Sequence, residues 1–225
     1  MTWTQVFQIL FQKDNRGRKL RIRSTTMHVP ATTEYQDIYD RCSILARAWT
    51  RGELGEALAR QVLHFPQYDL QVIGARMQTE IRKLPPPYRE QVAPFFMEQV
   101  FGSHHRLLAL HHAGGWARMH DPISDRERFE KFCAMIPEGC FCWDERDENC
   151  FIRYGPMHRF FYYLMACFTM FVLDEPGHPV GTPFPGSFRV EKKDGTFMCP
   201  IRDKEKEVFY SICNFCPAKQ SEMPA

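Results

Sequence analysis

The residues best placed to do chemistry are three cysteines near the C-terminal end, in "MCPIRDKEKEVFYSICNFCPAKQ". Cys199, Cys213 and Cys216 combine a thiol at the end of a short apolar strand with a CxxC knuckle, and prolines follow Cys199 and Cys216 directly. Two residues between cysteines let both sulfurs face one ion without strain, so this is the spacing from which small metal sites are assembled. Cys-Pro closing a CxxC also suits iron–sulfur ligation, where proline turns the chain away from the cluster. Three soft ligands leave one position open. His178, in the proline-rich stretch upstream, and Cys140, Cys142 and Cys150 of "CFCWDERDENC" are the candidates for the fourth.

Other constellations are weaker. In "SHHRLLALHH", His104 and His111, like His105 and His112, stand two turns apart, without the i,i+4 spacing that lets two imidazoles share an ion. His158 opens an apolar helix beside Arg159 and shows no partner in the sequence. No nucleophile elbow, Walker loop or dinucleotide glycine pattern is present, so no recognised catalytic motif supports an enzyme.

Composition narrows the classes. Nine cysteines is an odd number and follows no secretory signal, so a full disulfide framework fits poorly and metal ligation or burial remains. The formal charge of +2 is too balanced to demand nucleic acid or an anionic membrane. The longest apolar run, "FFYYLMACFTMFVL" from Phe160 to Leu173, is too short for a membrane span of roughly 20 residues and reads as a core helix. A cytoplasmic protein is expected.

The elements that must position the cysteines are mostly helical. Residues 1–30 are a basic extension, 31–220 a helical domain ending in the cysteine-rich element, and 221–225 a tail. A cap at Thr32 or Thr33 opens a helix in which Tyr35, Ile38, Tyr39, Cys42, Ala46 and Trp49 share one face. A second runs from Glu53 to His64, and a third carries Leu70, Ile73, Met77, Ile81 and Leu84. A fourth starts near Pro94 and continues to Gly114–Gly115. The fifth is capped by Ser124, and a cysteine-bearing loop follows Pro137. After the apolar helix at 157–173 comes "EPGHPVGTPFPGS", an ordered non-regular turn. In the hairpin that follows, an Asp194-Gly195 turn pairs Val190 with Cys199 and Phe188 with Ile201, placing Cys199 inward.

The string "GHPVGTPFPGSFRVEKKDGTFMCPIRDKEKEVFYSICNFCPAKQ", preceded by "HRFFYYLMACFTMF", resembles a protein family of methanogenic archaea known as a domain of unknown function. The similarity spans about 33–220 and is densest over 155–220. It implies a strict anaerobe and a reducing cytoplasm, where exposed iron–sulfur clusters survive, and brings no activity with it. Ser187 stands where the family turn implies glycine.

The expectation is therefore a mainly α domain with a C-terminal hairpin and knuckle holding one metal centre, an iron–sulfur cluster ahead of Zn2+, in an accessory protein with protein partners. The alternatives are a metalloenzyme with a pocket near His158 and His178, and a zinc-knuckle nucleic-acid binder using the basic arm.

Overall fold

The computed structural model describes residues 32–142 and 154–221, so the basic arm and Cys150 lie outside the described residues. The chain is mainly α-helical, with small sheets at the C-terminal end.

Helix α1 (Thr33–Leu45) begins at Thr32, whose hydroxyl accepts the Tyr35 N–H, and buries Ile38, Cys42 and Leu45. It ends before Trp49, contrary to the periodic pattern: Trp49 is 68% exposed and Tyr39 51%. The cause is tertiary, because the Arg126 guanidinium takes the carbonyls of Ala46 and Ala48 and stacks on the Trp49 ring with 4.5 Å to its centroid. Thr50 and Glu53 then form a reciprocal capping box that starts α2 (Arg51–Val62).

After α3 (Gln67–Arg82), α4 (Tyr88–Met97) starts six residues before Pro94, which is interior rather than first-turn. Tyr88, Val92 and Phe96 recur every fourth residue and pack with Leu84 in a satellite cluster, and this burial starts the helix early. A π-helical turn (Glu98–Gly102) joins α4 to α5 (Ser103–His112), and a 3-10 turn (Gly115–Arg118) follows. His111 Nδ1 accepts the Trp116 Nε1–H at 3.1 Å, which commits that histidine to packing.

The cap of α6 (Arg126–Phe141) is Asp125, not Ser124: its carboxylate accepts the Arg128 N–H at 2.9 Å. The helix also runs through Pro137 instead of stopping there. Burial of Met135, Ile136, Pro137 and Cys140 outweighs the one amide bond the proline forfeits.

Helix α7 (Pro156–Cys167), continued by a second π-helical turn (Phe168–Val172), is the centre of the core. Phe160, Phe161, Leu164, Phe168 and Phe171 are at most 1% exposed. Helices α1, α2, α3 and α6 and the first π turn surround it. Among the described residues no helix is long and apolar enough to cross a membrane.

Strands β1 (Pro183–Phe184) and β2 (Phe188–Arg189) form one antiparallel ribbon. Strands β3 (Glu191–Lys193) and β4 (Thr196–Cys199) pair around Asp194-Gly195 in the expected register, Glu191 opposite Met198, and β5 (Lys219–Gln220) adds to β4 in parallel. Phe188 does not reach Ile201. Left-handed Gly186 (φ 87°) and Ser187 (φ 65°) turn it back onto Phe184 instead.

Candidate functional site

The two prolines after cysteines have a local purpose. Proline lacks an N–H and fixes φ, so it turns the next amides back toward the preceding side chain. The Arg202 N–H turns back to the Cys199 carbonyl at 3.5 Å. A further amide, Gly177 N–H in the proline-rich turn, reaches Cys216 Sγ at 3.4 Å. Cys213 sits in a 3-10 turn (Ile212–Phe215) opened by Ser211, whose hydroxyl accepts the Cys213 N–H at 3.3 Å. The Gly177 bond ties the Cys216 sulfur to the proline-rich turn.

Several contacts bring the three thiols into one neighbourhood. Cys199 ends β4 opposite Gln220, and Ser221 N–H donates to its carbonyl at 3.1 Å. Arg202 spans from that turn to the knuckle, donating from Nε to the Cys216 carbonyl at 3.1 Å. Phe215 meets Phe132 of α6 edge-on at 5.3 Å, and Tyr163 of α7 donates its hydroxyl proton to the Tyr210 carbonyl at 2.9 Å. The knuckle is thereby anchored to the core.

Burial governs the ionisation of all three thiols. Burial pushes the Cys199 thiol up to about 12, and Cys216 adds to the rise. Cys213 rises well above its ordinary value through burial and then through the charges of Cys216 and Cys199. Burial also raises Cys216, against the pull of Arg202 and Arg128. Without a cation these groups stay protonated, and a bound metal would deprotonate them outright. Among the described residues, no three His, Cys, Asp or Glu side chains already converge as a metal-holding set.

The fourth-ligand candidates fall in different places. His178 is 4% exposed beside Gly177, its ring edge-on to Phe184 at 5.8 Å, and burial lowers its pKa to about 4. Cys140 and Cys142 end α6 near Arg159, whose guanidinium donates to the Cys140 carbonyl at 2.6 Å. Cys140 belongs with Cys42, Cys133 and Cys167 in a second, buried group whose thiol pKa values desolvation raises, as packing thiols require. Cys150 is outside the described residues.

His158 has a partner the sequence concealed. Its Nδ1 accepts the Gly155 N–H at 2.9 Å, its Nε2 faces Asp69 at 3.5 Å, and Tyr154 stacks on the ring. These surroundings differ from those of His178.

Sequence reasoning missed two further features. Glu205 is 8% exposed, its carboxyl raised to about 7 by burial. Only its tertiary setting distinguishes it from the other charges of "RDKEKE". The π turns border a cleft of about 410 Å3 in which Arg106 pairs with Glu175 at 2.8 and 3.1 Å and Ser103 Oγ meets Thr169 Oγ1 at 3.2 Å. Phe197 and Lys192 of the hairpin line it as well, whereas His158 and His178 do not. π-Helical turns carry no sequence signature comparable to a cap, though they recur at functional sites.

Comparisons with known proteins find several relatives. A "UPF0305 protein" of Methanothermobacter thermautotrophicus is 48% identical over 61 residues, covering 27% of this chain and 39% of that protein. One from Methanocaldococcus jannaschii is 24% identical over 167 residues, covering 74% of this chain and 94% of its own. A third, from Methanopyrus kandleri, is 37% identical over 100 residues, covering 44% and 63%. No solved structure matches the chain. With a family match spanning residues 50–221, the chain belongs to the archaeal family described as "Uncharacterized protein conserved in archaea" (DUF2115).

Proposed function

We propose that this protein carries one thiolate-bound metal centre on Cys199, Cys213 and Cys216 and acts as a cytoplasmic accessory protein for a larger protein partner. The observation that carries the reading is the joining of three buried cysteines, a strand end and a CxxC knuckle, to the proline-rich turn, whose Gly177 N–H donates to Cys216 Sγ at 3.4 Å. Free thiols gain little from such contacts, whereas metal-bound thiolates are tuned and held by them. The burial of the trio gives the protein a structural reason to exclude water from the centre.

An iron–sulfur cluster fits the Cys-Pro ending and a reducing setting. Zinc is the second reading, favoured by His178, buried next to the Gly177 whose N–H reaches Cys216 Sγ.

The test is anaerobic purification of the full chain followed by iron, sulfide and zinc analysis. A cluster makes the protein brown, and Cys213→Ser or Cys216→Ser abolishes the colour. Colourless protein with about one zinc, lost in the same variants, keeps the site and changes the metal. Fresh protein with neither metal rejects the reading.

A further inference from the structure

The cleft bordered by the two π turns has sides of opposite hydrogen-bonding character. Its helical side presents the Glu98 carboxylate and the hydroxyls of Ser103 and Thr169. Thr169 Oγ1 donates to the Met165 carbonyl at 3.0 Å, so in its 3.2 Å contact with Ser103 the serine must be the donor. Both hydroxyl protons are thereby committed, and the two oxygens have only lone pairs left to offer. The Glu98 carboxylate is exposed and, among the described residues, has no hydrogen-bond or ion-pair partner. Gly102 lets it lie where it does: a Cβ at 102 would stand 2.3 Å from Glu98 Oε2. Apart from Arg106, which Glu175 holds through bonds of 2.8 and 3.1 Å, this side only accepts.

The hairpin side is cationic and aromatic. Lys192 Nζ lies 5.0 Å from the centroid of the Phe197 ring. It is Lys193 that takes Glu191, at 2.6 Å, and among the described residues no carboxylate pairs with Lys192. An ammonium only donates. Pro176, Pro179 and Val180 add apolar surface. The cleft of about 410 Å3 thus keeps one uncompensated negative and one uncompensated positive charge beside apolar side chains. Its size falls in the range of small-molecule sites, roughly 300–1,000 Å3.

We propose that this cleft binds a small zwitterion of the amino-acid class, its ammonium on Glu98 and the lone pairs of Ser103 and Thr169, its carboxylate on Lys192, and its apolar body against Phe197. A simple anion would gain Lys192 but meet the repulsion of Glu98, and a simple cation the reverse, so charge complementarity selects a ligand that carries both. Ser103 opens α5 directly after the first π turn and Thr169 lies inside the second, a setting in which π turns serve binding sites. No cysteine lines the cleft, so the proposal stands apart from the metal reading.

The experiment titrates the full chain calorimetrically with three probes: L-phenylalanine, phenylpropionate, which lacks the ammonium, and L-phenylalaninamide, which lacks the carboxylate. Circular dichroism checks each variant's fold. L-Phenylalanine should bind, equally before and after chelation, and each truncated probe should bind about three- to tenfold more weakly. Glu98→Gln should weaken L-phenylalanine and the amide by a similar factor and leave phenylpropionate unchanged. Lys192→Met should weaken L-phenylalanine and phenylpropionate and leave the amide unchanged. Gly102→Ala, which keeps the charge but displaces the carboxylate, should behave as Glu98→Gln does. Absence of L-phenylalanine binding at millimolar concentration overturns the proposal. So does a truncated probe that binds as tightly as the zwitterion, or a folded variant that weakens all three probes alike or none of them.

Discussion

The backbone N–H of Gly177 donates to the sulfur of Cys216 across 3.4 Å. Two segments nearly forty residues apart, the proline-rich turn and the cysteine knuckle, thus form one unit. The approach depends on glycine, because a Cβ at 177 would stand 2.9 Å from Ile212 Cδ1, itself buried. Gly177→Ala should cost about 1–3 kcal/mol, read as a lowered denaturation midpoint. A midpoint equal to wild type would show that turn and knuckle are not packed this tightly.

Leu164 lies at the middle of α7 and is 0% exposed. Leu164→Ala removes buried methyl groups from the centre of the helical core and should cost about 2–5 kcal/mol by urea unfolding. A loss near zero would place α7 at the periphery.

Ser187 adopts φ 65°, a left-handed conformation that a side chain disfavours. Glycine would remove roughly 1–2 kcal/mol of strain, while its freedom in the unfolded chain returns about 0.4–1. Ser187→Gly should therefore stabilise the protein by about 0.5–1 kcal/mol. A lower melting temperature would mean that the serine hydroxyl is needed in the turn.

Two buried groups give the metal-free protein opposite pH dependences. The unfolded His178 imidazole takes a proton near 6.5, whereas the folded one resists until about 4. In that window the unfolded state binds more protons, so stability is full above it and falls by about 3 kcal/mol as pH drops through it. For Glu205 the unfolded carboxyl ionises near 4.5 but the folded one holds its proton up to about 7. Stability from this group is full below the window and falls as pH rises through it. Urea midpoints of chelated protein from pH 4 to 8 should show His178→Gln flattening the acid limb and Glu205→Gln the neutral one. Unchanged limbs in these variants would refute the assignments.

Much of the helical frame was legible because burial follows the helical period. Leu70, Ile73, Met77 and Ile81 marked α3, and the hairpin register around Asp194-Gly195 was fixed by the turn and the alternation. The errors came from contacts made far away in sequence. Trp49 continued the period of α1 but lies beyond its end, where Arg126 claims the terminal carbonyls. Pro94 and Pro137 looked like boundaries, yet both are helix-interior because their neighbours are worth more buried than the lost amide bond. At the candidate site, spacing pointed to Cys199, Cys213 and Cys216, while nothing local marked Glu205 among five other charges or separated Cys140 from the terminal group.

The two π turns bear on how this family can change length. A π turn holds one residue more than the α-helix would need, and removing it leaves a regular helix with its amide bonds intact. Yet each residue of an α-helix rotates the chain by about 100°, so a one-residue deletion within Glu98–Gly102 would swing all of α5 around its axis. Leu107, now 0% exposed, would leave the core, and Ser103 would leave Thr169. A change in the length of this segment thus displaces a whole helix rather than one side chain.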